Sequence, residues 1–283
     1  MKTSTKIAAG LGAAVLAVGG IVLIRTATYK PAAVADVSGI KVAAPVKVDL
    51  DQAAAHLSQA IQFQTVSHQN KADDQPAEWD RLQAWLTTTY PLSHAAMSRQ
   101  VVGGKTLIYT WKGSEPALAP IILMAHQDVV PVTPGTEGDW KHPPFAGQIA
   151  DGAVWGRGSI DDKGSLISVS ESTETLLKAG FKPRRTVILV SGHDEEVRGI
   201  GATAAADALK AAGIKGQLVL DEGMAVVKDN PVTGGPVALI GIGEKGAFVS
   251  GELAVEQKGI LPVECGVGHE KSPEMKNERF AMA

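Results

Sequence analysis

Four short stretches of this sequence carry side chains that could do chemistry together. They are His126 and Asp128 in "MAHQDVV", Asp161 and Asp162 in "SIDDKG", Glu195 and Glu196 in "SGHDEEV", and Asp221 and Glu222 in "LDEG". Three of the four follow an apolar run of strand character: "IILMA", "TVILV" and "QLVL". A buried strand has no use for a charged end unless something there binds it. In open parallel sheets functional side chains gather at the carboxyl ends of the strands, so these stretches are expected to converge. The fourth pair, Asp161-Asp162, stands just before a helical pattern, where free N–H groups and the helix dipole favour negative charge.

Taken singly, each stretch has a bland reading: a core histidine, a solvated acidic pair, a helix cap or a turn. Taken together, one imidazole and several carboxylates form a ligand set suited to zinc, with cobalt and manganese as alternatives. Four ligand-bearing segments exceed what a three-ligand catalytic zinc needs. A carboxylate shared between two ions would hold them ~3.5–4 Å apart, and Asp161 is the candidate for that bridge. Asp128, two residues from His126, shares its face and can support the imidazole. Glu195 and Glu196 are adjacent and point apart in extended backbone, so one can bind metal while the other serves as general base.

The elements that must position these residues are legible from hydrophobic period. Asp51 is expected to cap a helix with Ala54, Leu57, Ala60 and Ile61 on one face, and Trp79, Leu82, Trp85 and Leu86 repeat the pattern. "TLIYTWKG", "PIILMAHQDVV", "RTVILVSG" and "GQLVLDEG" read as strands, and about 164–179 and "IGATAAADALKAAG" as helices. Strands alternating with helices predict an α/β fold with a mostly parallel central sheet flanked by helices.

The 283 residues, with a formal charge of −3, can bury a full core and carry no polybasic signature, so no nucleic-acid partner is expected. A single cysteine, Cys265, leaves no internal disulfide. Residues 7–24 are free of charge and proline and lie between Lys6 and Arg25, which reads as a signal anchor or a signal peptide spanning residues 1–30. An Ala33-Val34-Ala35 pattern offers a cleavage site, and a buried core helix is the competing reading. Residues 31–48 form the linker, 49–250 the catalytic domain, and 251–283 a tail. The domain is thus expected to be exported, periplasmic or extracellular, and membrane-anchored through its N-terminal helix.

Two glycine-rich stretches imitate nucleotide sites. "GIGEKG" at 241–246 satisfies G-x-G-x-x-G but precedes an alternating rather than a helical run, and "GGKT" at 103–106 lacks the first glycine of a P-loop. There is no G-x-S-x-G, which removes the usual serine-hydrolase elbow.

The motifs "MAHQDVVPV", "WKHPPFAGQIADGAVWGRGSIDDKG", "SGHDEEVRGIGA", "LDEG" and "IGEKG", in this order and spacing, resemble those of the co-catalytic zinc exopeptidases that include aminoacylase and carboxypeptidase S, with the carboxypeptidase S branch most similar. "AIQFQTVS" resembles that family's first helix, and the resemblance covers roughly residues 51–247. It implies a zinc exopeptidase-like fold and two Zn2+ per chain. His126, Asp161, Glu196 and Asp221 would be metal ligands, with Glu222 as substitute for Asp221, Asp128 the support of His126, and Glu195 the general base. The implied reaction is hydrolysis of a peptide or N-acyl amino acid amide bond beside a free carboxylate.

The sequence departs from that family after residue 250. Its lid domain, which carries any homodimer contact, and its last metal-binding histidine have no counterpart, and His269 in "GVGHEKSP" is a poor match. Truncation or a shifted frame near 257–260 is expected, with an incomplete or absent lid. The alternative function is therefore an inactive, membrane-tethered metal-binding fragment.

Overall fold

A computed structural model describes residues 2–28, 39, 45–222, 226–229 and 234–238 of the chain. The tail from 239, with "GIGEKG" and His269, lies outside the described residues. The chain divides into two compact units, one holding helix α1 (Lys2–Thr28) and the other every element after it. Among the described residues no helix is long and apolar enough to cross a membrane, so the expected transmembrane anchor gains no support from the structure.

The second unit opens with α2 (Leu50–Ile61), which buries Leu57, Ala60 and Ile61. Its cap is Asp49, whose side chain accepts from the Gln52 N–H at 3.1 Å, and Asp51 sits in the first turn instead. That corrects the expected cap by two residues; either carboxylate suits the positive end of a helix. Helix α3 (Pro76–Thr89) begins on a proline, which lacks the N–H that would go unused there, and buries Trp79, Leu82, Gln83 and Leu86. The short α4 (Pro91–Ala96) is capped from a distance: Glu174 accepts from the N–H groups of Leu92 and Ser93 and from the Ser93 hydroxyl.

A hairpin follows, β1 (Ser98–Val102) and β2 (Thr106–Trp111). Hydrophobic period marks only β2, because β1 is a largely exposed edge strand, "SRQVV", with no apolar alternation. The "GGKT" stretch is the hairpin turn, with Gly103 at φ 55° and Gly104 at φ 105°, a conformation that favours glycine.

Then come β3 (Ile121–His126), a small hairpin of β4 (Gln148–Ala150) and β5 (Ala153–Trp155), α5 (Lys163–Lys178), β6 (Val187–Gly192), α6 (Gly201–Ala211) and β7 (Leu218–Leu220). A further hairpin joins β8 (Val226–Val227) to β9 (Val237–Ala238). The main sheet has the order β1-β2-β6-β3-β7. β3 runs parallel to both β6 and β7, and β2 is antiparallel to β1 and β6, so four of five strands point one way.

Helices cover both faces of the sheet over β2, β3 and β6, whereas β7 leaves Val219 and Leu220 exposed. Leu107, Tyr109 and Leu189 pack with Val169, Leu176 and Leu177 of α5. Ile108, Ile122, Ile188 and Val190 pack against Ala205 and Leu209 of α6. Neighbours in one strand thus serve opposite layers, as the two-residue period of a strand requires. A third cluster seats α2 and α3 on α5 through Ile61, Leu82, Tyr90 and Leu166.

One glycine fixes how the long loop meets this core. Gly147 has φ 61°, its carbonyl accepts from the Ser58 hydroxyl at 2.6 Å, and an added Cβ would stand 2.1 Å from the Ser58 carbonyl oxygen. Gly147→Ala is expected to lower the unfolding free energy by about 2–3 kcal/mol, through forbidden backbone and a clash that no rotamer relieves. Chemical denaturation measures it; a change below ~0.5 kcal/mol would show that the loop is not anchored there.

Candidate metal centre

The parallel pairing decides what stands together. His126 ends β3 opposite Gly192, the end of β6, so the residues that follow both strands emerge on one rim. After β6 the chain makes a single 3-10 turn, Glu195–Val197, closed by Arg198 in the left-handed region at φ 51°. Asp194 is spent on structure: its carboxylate accepts from the Ile200 and Gly201 N–H groups at 2.9 and 3.0 Å and holds the start of α6.

His126 is gripped on three sides. Its Nε2 lies 2.8 Å from Asp161 Oδ1, and its Nδ1 lies 3.0 Å from the Asp128 carbonyl and 3.3 Å from Asp128 Oδ1. Its backbone N–H donates to Asp162 Oδ2 at 3.1 Å. Asp162 is thus more than a helix cap. It makes no side-chain cap bond at α5, and its carboxylate instead binds the end of β3 and seats Asp161 beside the imidazole. The Asp161-Asp162 peptide is cis. Asp128, fully buried, accepts from the N–H groups of Glu195 and Glu196 at 3.1 and 3.2 Å. One carboxylate therefore contacts the imidazole and orders the Glu-Glu turn.

Two groupings place ligand atoms within 4.8 Å of one another: His126 with Asp161 and Glu196, and His126 with Glu195 and Glu222. Of the four expected ligands, the structure gathers His126, Asp161 and Glu196; in the second group it brings in Glu222 where Asp221 was expected. β7 ends at Leu220, and the two residues after it are both exposed and line the same cleft, so residue spacing alone could not choose between them. A cleft of about 520 Å3 opens alongside, lined by Leu123, Ile160, Asp161, Leu220, Asp221 and Glu222 among others.

The electrostatics are those of carboxylates crowded in a partly dry place. Burial pushes Glu196 up to about 7, helped by repulsion from Asp161, and pushes Glu222 up to about 7 in the same way. Glu195 and Asp162 are raised as well, again mainly by burial. For His126, burial opposes the charged form, but the Asp128 carboxylate and then Asp162 and Asp161 outweigh it and carry the imidazole to about 10. Burial also opposes the charged form of Asp128, and the hydrogen bond to His126 leads the contributions that hold it below the usual range.

The donor set fits a divalent cation. The centre keeps protons on His126 and, at neutral pH, partly on Glu196, where a cation would supply the missing positive charge. Because ligands must shed those protons, metal uptake at pH 7 is expected to release about one to two protons, and apparent affinity to rise with pH. Calorimetric titration with Zn2+ in buffers of different ionisation enthalpy counts them; uptake without proton release would mean that the metal binds elsewhere.

Some contributors escape sequence reading. Lys163, wholly buried, donates from Nζ to the Phe63 carbonyl and ties the end of α2 to the start of α5. Burial lowers its pKa to about 7. A charged residue next to an acidic pair gives no sign that it will point inward.

An α/β sheet with an imidazole and several carboxylates gathered at its parallel strand ends has the form of a metal-binding constellation. The sequence profile described as Peptidase family M20/M25/M40 matches residues 122–281, more than half of the chain, and the chain belongs to that family. It is 37% identical over 202 residues to the probable carboxypeptidase S-like 2 of Dictyostelium discoideum, covering 69% of this chain and 38% of that one. It is also 37% identical over 221 residues to the N-fatty-acyl-amino acid synthase/hydrolase PM20D1 of Xenopus tropicalis, covering 75% and 42%. The chain thus spans about two-fifths of the length of these relatives. Among solved structures, human carnosine dipeptidase 1 shares the fold at a TM-score of 0.50 and 17% identity, over 63% of this chain and 40% of that one.

Proposed function

We propose that this chain carries the catalytic half-site of a zinc-dependent hydrolase that cleaves peptide or N-acyl amino acid amide bonds. The observation that supports it most is the grouping of His126, Asp161 and Glu196 within 4.8 Å at the carboxyl ends of parallel strands. In this reading those three residues would hold metal, Asp161 as the carboxylate that a second ion would share, and the Asp221-Glu222 pair would supply the remaining carboxylate. A divalent ion bound there would polarise the scissile carbonyl and lower the pKa of a water towards ~7. Asp128 fixes the imidazole and holds the Glu195 N–H, so the Glu195 carboxylate is presented at the rim. Its raised pKa suits a base that takes a proton from the attacking water and gives it to the leaving amine as the C–N bond breaks.

The substrate classes come from the relatives, one named a carboxypeptidase and the other an N-fatty-acyl-amino acid synthase/hydrolase. Export belongs to the same proposal and rests on the charge-free run between Lys6 and Arg25; fractionation of expressing cells tests it. For the function, the full chain loaded with Zn2+ is offered dipeptides, N-acyl amino acids and their C-terminal amides. Hydrolysis of the free acids alone is expected, and equal or no turnover of both sets would sink the proposal.

A further inference from the structure

Between His126 and Asp128 stands a residue that the chemistry above does not use. Gln127 is fully buried, and as the middle residue of the three its side chain leaves on the face opposite to its neighbours. Its amide is saturated. Nε2 donates to the Lys105 carbonyl at 3.1 Å and the Ser191 carbonyl at 2.9 Å, and Oε1 accepts from Gln83 Nε2 at 2.9 Å. Gln83 of α3 is buried too. Its Nε2 also donates to the Lys105 carbonyl at 2.7 Å, and its Oε1 accepts from Arg99 Nη2 at 2.7 Å. The orientation of both amides is therefore forced, since flipping either would set oxygen against carbonyl oxygen.

The main chain of Gln127 is held as firmly. Its N–H donates to the Gly192 carbonyl at 2.7 Å, and its carbonyl accepts from the Thr65 hydroxyl at 2.6 Å. Three elements meet at this one residue: the end of β3, the end of β6 through Ser191 and Gly192, and the turn of the β1-β2 hairpin through Lys105. The two strand ends are the ones that carry His126 and the Glu195-Glu196 turn. Helix α3 also ties down the residue that follows β6, where Trp79 Nε1 donates to the His193 carbonyl at 3.0 Å. A buried amide with every group satisfied is rigid, and removing it strands several partners at once.

We propose that Gln127, backed by Gln83, is a positioning residue: it sets the separation of His126 from the Glu195-Glu196 turn and so the affinity and geometry of the metal centre. The inference rests on the functional reading that these groups hold a metal.

Co2+ titration of the full chain tests it, with the visible absorption of the bound ion as a report on geometry and thermal melting as a report on fold. Gln127→Leu is expected to bind Co2+ about tenfold more weakly than wild type, with an altered spectrum, the lower end of the about 10- to 100-fold cost of losing a direct hydrogen-bond partner of a ligand, because Gln127 acts on the ligands through the strand ends. Gln83→Leu, which keeps the Gln127 side chain, is expected to weaken binding by about threefold, below that scale because it is one contact further out. Wild-type affinity and spectrum in a folded Gln127→Leu chain would overturn the inference and leave the functional proposal standing. If Gln127→Leu does not fold, Gln83→Leu decides, and unchanged binding there overturns it. Failure of the wild-type chain to bind Co2+ would strike the functional proposal instead. Amide hydrogen exchange at Gln127 and Val129 would then judge the inference: at least about tenfold faster exchange in the variant supports it, and unchanged exchange refutes it.

Discussion

His126→Ala is expected to abolish metal binding at this centre and reduce amide hydrolysis to background. His126 belongs to both ligand groupings, so its removal takes a donor from each position at once. Its loss also leaves the fully buried Asp128 carboxylate without its imidazole partner and releases Asp161 from its 2.8 Å contact. The fall in affinity should exceed the about 10- to 100-fold that loss of an outer partner costs, because a direct ligand is gone. Metal analysis of the purified chain measures it. Retention of the wild-type metal content in a folded variant would show that the cluster is an acidic surface and not a metal centre.

The second large effect separates two adjacent residues. Glu195→Gln is expected to lower kcat by about 10^2- to 10^4-fold, the contribution of a positioned acid–base group, while metal content and KM hold. Glu196→Gln is expected to lose metal first and activity as a consequence. The distinction rests on geometry: Glu196 groups with His126 and Asp161, whereas Glu195 groups with His126 and Glu222, and both hang from the same Asp128 carboxylate. Metal content and steady-state kinetics on the two variants, taken together, decide it. Full activity in Glu195→Gln, or metal loss in Glu195→Gln with none in Glu196→Gln, would reverse the roles proposed here.

Much of this was legible from residue order. The apolar runs before His126 and before the Glu195 turn are strands because their side chains are apolar in succession and branched, as β3 and β6 in the middle of the sheet require. The run before Asp221 has the same pattern but forms β7 at the end of the strand order, where Val219 and Leu220 are exposed. Their helices follow from the 3.6-residue period, and the strand-helix alternation places the ends on one rim. The edge strand β1 was invisible because an edge that faces water needs no apolar alternation.

The sequence by itself determined which side chains could bind metal, on which segments they lie, and that the parallel strand ends would collect them. Only the tertiary structure decided which of two adjacent acidic residues stands within reach of His126. It brought Glu222 towards His126 where Asp221 was expected, aimed Asp162 at the His126 N–H, and committed Asp194 to the start of α6. It also revealed that Gln127 and Lys163 point into the protein, where each donates to main-chain carbonyl oxygen. The physical reason is common to these cases. Period and propensity act over a few neighbours and fix the element, whereas the direction of a polar side chain at an element's end is set by partners up to 100 positions away, whose placement exists only after the sheet has formed.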